Sequence, residues 1–145
     1  MKIAGSAQLP FAPERAWELM QDPVVLARAI PGCESLEKTG EDEYRMKMKM
    51  VLASFSGAFE GKVRITDPAP PSSFRMVVEG SGKIGFMKGD GVLTLTPKHG
   101  ATEISYDGEA QVGGTMAAVG QRLIDTTARM LIKRFFTKLL DEGPG

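Results

Sequence analysis

From Thr115 to Leu140, apolar residues recur at Met116, Val119, Leu123, Ile124, Ala128, Leu131, Phe135 and Leu139, the three-and-four spacing of one helical face. Arg122, Asp125, Arg129, Lys133 and Lys138 supply a polar face, and cations gather in the last turns, where the helix dipole favours them. Gly113-Gly114 breaks the preceding segment, and Thr115 is the expected N-cap. A rod of about 26 residues at 1.5 Å rise is about 39 Å long. Such a stripe needs a sheet to lie against.

The preceding chain supplies one. Lys2–Leu9 alternates weakly and reads as a first strand. Pro13 opens a short helix over Glu14–Gln21, with Trp17 and Met20 on its inner side; Asp22-Pro23 stops it. A second short helix covers Val24–Ile30 and ends at Pro31-Gly32. Strands are then expected at Cys33–Lys38, Glu43–Leu52, Phe55–Thr66, Phe74–Gly82, Phe86–Thr96 and Thr102–Val112. In the second of these Tyr44, Met46, Met48, Met50 and Leu52 share a face opposite Arg45, Lys47 and Lys49; in the third Phe55, Gly57, Phe59, Gly61, Val63 and Ile65 do so. Short links without intervening helices imply an antiparallel meander. The fold class is therefore α+β: a seven-stranded curved antiparallel sheet wrapped around a long C-terminal helix, in one domain spanning residues 1–145.

Eighteen basic and eighteen acidic side chains leave no net charge, which argues against general attraction to nucleic acid. The single cysteine, Cys33, excludes an internal disulfide and suits a reducing compartment. No apolar run approaches the ~20 residues of a membrane span. The expectation is a cytoplasmic protein.

Long and small residues mix on the inward strand faces: Met46, Met48, Met50, Phe59, Met76, Phe86 and Tyr106 beside Gly57, Gly61, Gly80, Gly82 and Gly108. Two readings fit. Either the glycines only curve an ordinary core, or sheet and helix stay apart around an apolar cavity of roughly 300–1,000 Å³ lined by adaptable methionines. Trp17, Met48, Met50, Phe59, Met76, Phe86, Tyr106, Met116, Val119, Leu123 and Thr127 are the candidate wall, with Tyr106, Thr127 and Trp17 as polar handles. Gly120 is expected to let the helix approach its neighbours closely. No catalytic set is apparent. His99 falls in a turn, Cys33 has no activating partner, and one His with one Cys makes no zinc site. Gly80-Ser81-Gly82-Lys83-Ile84-Gly85 lacks the Walker spacing, and Ser54-Phe55-Ser56-Gly57 is not a strand-to-helix elbow. Arg45, Lys47, Lys49, Lys62, Arg64 and Arg75 fall on outward strand faces, either as a solvated surface relieved by Glu43, Glu60 and Glu79 or as a docking patch.

Three motifs carry a resemblance: Pro31-Gly32-Cys33-Glu34-Ser35-Leu36 after two short helices, Gly85-Phe86-Met87-Lys88-Gly89-Asp90-Gly91, and Val112-Gly113-Gly114-Thr115-Met116-Ala117-Ala118-Val119-Gly120-Gln121-Arg122-Leu123-Ile124. With Trp17 and Phe135-Phe136, they resemble CoxG, a family of carbon monoxide dehydrogenase subunits, across essentially the whole chain. The resemblance implies a helix-grip, START-like fold and an accessory protein without catalysis or covalent cofactor. It implies a quinone-like ligand (menaquinone, ubiquinone or another lipid), a carbon monoxide dehydrogenase-type molybdenum hydroxylase as partner, and help in placing that enzyme at the cytoplasmic membrane. Many relatives carry a C-terminal anchor; with the sequence ending at Gly143-Pro144-Gly145, reversible peripheral contact is what carries over. The alternative is an assembly factor for that enzyme without a small ligand. A cyclase or hydrolase of the same superfamily would need inward polar residues at the pocket mouth.

Overall fold

The computed structural model describes residues 1–52 and 55–144; the side chains of Leu52 and Phe55, and the Ser54 segment, lie outside the described residues. The chain runs β1 (Lys2–Leu9), α1 (Pro13–Gln21), α2 (Pro23–Ala29), β2 (Cys33–Lys38), β3 (Glu43–Leu52), β4 (Phe55–Ala69), β5 (Ser73–Gly82), β6 (Gly85–Lys98), β7 (Ala101–Gly113) and, after a 3-10 turn at Thr115–Val119, α3 (Gln121–Asp141). All seven strands form one antiparallel sheet in the order β1-β7-β6-β5-β4-β3-β2, the curved α+β arrangement expected. The strand ladder places Met46 opposite Gly61 and Met48 opposite Phe59, so the inward faces of β3 and β4 coincide.

Glycine pairs bend this sheet. Gly61 faces Gly80 and Gly91 faces Gly108. A Cβ on Gly61 would run into the Glu79 carbonyl oxygen, and one on Gly108 into that of Asp90. Only glycine permits backbones this close on the concave side.

The short helices have local causes. Pro13 and Pro23 occupy first-turn positions, and the Asp22 carboxylate accepts from the Val24 N–H at 2.9 Å. Gly32 turns the chain into β2 at φ +79. Leu19, Met20 and Leu26 from these helices join Met46, Phe59, Phe74, Ile104 and Leu139 in the buried core. Each large side chain so buried contributes about 1.5–3 kcal/mol. Thr102, the buried polar residue, donates its hydroxyl to the Phe11 carbonyl at 2.7 Å.

The terminal rod differs from expectation. Thr115–Val119 winds as 3-10, Gly120 interrupts at φ 95, ψ 154, and the α-helix begins at Gln121. Thr115 caps nothing through its side chain in that turn, and Gly120 rather than Thr115 is the α3 N-cap. Gly120 also makes no close approach: a Cβ there would meet nothing within 4 Å. The 21 residues of α3 span about 32 Å, not 39 Å.

Candidate functional site

Sheet and α3 do not close completely. Two adjoining apolar lobes, about 280 Å³ and 240 Å³, lie between them. Met50, Val78 and Met87 from the sheet, with Leu131 and Ile132 from α3, border both. One lobe reaches Ile30, Pro31 and Phe135; the other lies under Met116, Ile124 and Thr127. Gly89 also borders both, and a Cβ built on it would meet nothing within 4 Å. The wall is thus open where a side chain is missing, and the bent sheet keeps the opposite wall away.

Six of the expected wall residues come together here: Met48, Met50, Met76, Tyr106, Met116 and Thr127. Five do not. Phe59 is 1% exposed and packed in the core, beneath Gly80 and Gly82. Trp17 meets Phe74 edge-on at 5.5 Å, away from both lobes. Val119 and Leu123 are half-buried against the core and border neither lobe, because the 3-10 turn shifts the start of the helix. Phe86 points outward, 47% exposed, with its ring beside Gly113.

The outward turn of Phe86 has a simple cause. Leu93 and Leu95 are buried on β6, so counting back in twos gives Gly91, Gly89 and Met87 as inward positions. Met87 was therefore legible, as were Leu131 and Phe135, which continue the helical spacing from Ile124. Ile3 was not, since nothing local shows that β1 lies beside β7.

Tyr106 stacks on Phe136 at 5.7 Å and stands between the first lobe and a third hollow of about 480 Å³. That hollow is a more polar groove between β1 and α3, bordered by Lys2, Gln8, Asp125, Arg129 and Lys133. The phenol is therefore a polar group at the edge of an apolar slot, suited to orienting the head of an amphiphile.

No acid–base set is assembled in the lobes among the described residues. Burial pushes the Cys33 thiol up, and its Sγ donates to the Ser35 carbonyl at 3.4 Å, the opposite of an activated thiolate. His99 sits in an exposed turn at φ +50. Among the described residues no group of three His, Cys, Asp or Glu is placed to hold a metal. The basic strand face is largely neutralised: Lys62 pairs with Glu43 at 3.5 Å, Lys49 with Glu34 at 3.6 Å, Lys47 with Glu60 at 3.9 Å, and Arg75 with Asp90. Glu79, expected to help, is in no ion pair among the described residues. No helix is long and apolar enough to cross a membrane.

The sequence profile of CoxG, a family of carbon monoxide dehydrogenase subunits, matches residues 5–142. The chain belongs to that family. A conserved protein from Geobacillus kaustophilus is 36% identical and superposes with a TM-score of 0.93, over 98% of this chain and 94% of that one. A START superfamily protein from Mycobacterium smegmatis (12% identity, TM-score 0.73, 97% and 95% coverage) shares the fold. So does the ZhuI aromatase/cyclase from Streptomyces sp. R1128 (13% identity, TM-score 0.68, 98% and 92% coverage). No curated protein matches the chain. CoxG proteins are accessory subunits, and START-like folds typically bind ligands.

Proposed function

We propose that this CoxG-family protein is a non-catalytic accessory protein that binds a quinone or other lipid between sheet and α3. It serves a carbon monoxide dehydrogenase-type molybdenum hydroxylase and brings that enzyme to the cytoplasmic face of the membrane. The observation that carries the ligand-binding reading is the pair of adjoining apolar lobes whose shared wall is open at Gly89. Removing an isoprenoid tail from water is favourable by about 0.8 kcal/mol per CH₂, and methionines re-pack around tails of different shape. Tyr106 orients the polar head at the slot's edge. Family membership supports the partner, and an apolar cargo supports work beside a bilayer.

Organic extraction of the purified protein followed by mass spectrometry tests this reading, together with titration by menaquinone and ubiquinone analogues. A co-purifying isoprenoid or saturable analogue binding is expected. Protein that yields no lipid and binds no analogue would overturn it.

A further inference from the structure

The hairpins β3–β4 and β5–β6 and the β7–α3 connection all meet at one end of the sheet. Residues 46–59, 80–89 and 110–124, which build that end, contain Lys47, Lys49, Lys83, Lys88 and Arg122 but no Asp or Glu. Lys47 and Lys49 are paired with Glu60 and Glu34. Lys83, Lys88 and Arg122 are exposed and in no ion pair among the described residues, although Glu79 stands opposite Lys88 in the ladder. The turns at the other end carry Glu41, Asp42 and Asp67, with Lys98 tied to Glu103. A chain of zero net charge is thus polarised along the strands.

The basic end is also greasy. Val51 is 70% exposed and Phe86 47%, both on the convex face, and Ile84 stands half-buried at the turn between Lys83 and Phe86. Behind them, Lys88, Val112 and Met116 border the second apolar lobe. Apolar side chains ringed by unpaired cations match a bilayer surface bearing anionic headgroups, where the rings enter the interface and the cations meet the phosphates.

We propose that this hairpin end docks on an anionic lipid bilayer through Val51, Ile84, Phe86, Lys83, Lys88 and Arg122. In doing so it presents the lobe under Met116 to the membrane; this last part rests on the lipid-carrier reading above.

Co-sedimentation with phosphatidylcholine vesicles, with and without phosphatidylglycerol, tests the docking. The protein is expected to bind the phosphatidylglycerol vesicles, to ignore pure phosphatidylcholine, and to release as salt rises. Lys83→Glu with Lys88→Glu, and separately Phe86→Ser, should each weaken partitioning at least about tenfold. Arg45→Glu with Arg64→Glu, in the middle of the sheet, should leave it within about twofold. Indifference of the wild type to phosphatidylglycerol, or an equal loss in the mid-sheet variant, would overturn the docking surface. Thermal melts confirm that each variant is folded. A vesicle-free titration with a short-chain quinone separates the two readings: docking without quinone binding removes the carrier, and quinone binding without docking removes this surface.

Discussion

A Cβ on Gly89 would touch nothing, whereas one on Gly61 would strike the backbone of β5, so the same change at the two glycines should have opposite consequences. Gly89→Leu places a side chain in the empty space shared by both lobes. It should leave the melting temperature unchanged or raised, since buried apolar surface gains about 1.5–3 kcal/mol when it fits. It should also lower quinone-analogue affinity by at least about tenfold, an amount equivalent to about 1.4 kcal/mol. Gly61→Leu should cost about 1–3 kcal/mol or fail to fold, because the sheet cannot bend around it. Calorimetry and titration of the two variants decide the matter; loss of stability at Gly89 would show that the wall is already closed. The sequence marks both as strand glycines and cannot tell them apart. Their difference lies in cross-strand neighbours: Gly61 faces Gly80, while Gly89 faces Val78 and Ala110. Phe59 shows the converse. Its alternation placed it inside correctly, but an inward position is core or cavity wall according to what lies opposite, which periodicity does not contain.

Gly120 is where the reading of one continuous rod and the observed break make opposite predictions. In a helix interior, Gly120→Ala would stabilise by about 1 kcal/mol. At φ 95, ψ 154, a region nearly reserved for glycine, the same change should destabilise by about 1–3 kcal/mol. No side chain stands within 4 Å, so the cost is conformational alone. Chemical denaturation of Gly120→Ala reads the sign directly. The continuous helix was the natural inference, because Met116 and Val119 keep the apolar spacing with Leu123. What breaks it is tertiary: the Met116 N–H donates to the Ile84 carbonyl at 2.7 Å, pinning the turn to the β5–β6 hairpin. Strands were more legible than this junction. Strict alternation in β3 and β4 located both segments and their inward faces, and Pro13, Pro23 and Gly32 punctuated the helices where expected. On β6, consecutive Phe86 and Met87 offered two phases, and only Leu93 and Leu95 resolve them.

At the scale of the whole molecule, surface ion pairs tie together elements distant in sequence. Arg28 of α2 donates to Glu142 beyond α3 at 2.6 and 3.1 Å; Lys98 and Gln8 donate to Glu103 of β7 at 2.8 and 3.0 Å; Arg75 holds Asp90 across β5 and β6. The pairing of β1 with β7, which the Gln8 contact reports, was beyond sequence reasoning, because no local pattern links Lys2 to Glu109. Hydrogen bonding from Arg28, from Lys98 with Gln8, and from Arg75 holds Glu142, Glu103 and Asp90 below the usual carboxylate range. In the unfolded chain these groups titrate near pH 4. Their contribution is therefore complete above about pH 5 and is lost as pH falls through the lowered folded values, since the unfolded chain takes up protons first. Stability followed by urea denaturation should fall as pH drops below 5. The slope should be shallower in Arg28→Ala with Arg75→Ala, whose carboxylates no longer differ between folded and unfolded states. Because the pairs are exposed, raising salt should flatten the wild-type slope toward that of the variant. Identical slopes for the two proteins at low salt would show that these contacts carry none of the acid sensitivity, leaving the apolar grip of sheet on α3 to hold the molecule together by itself.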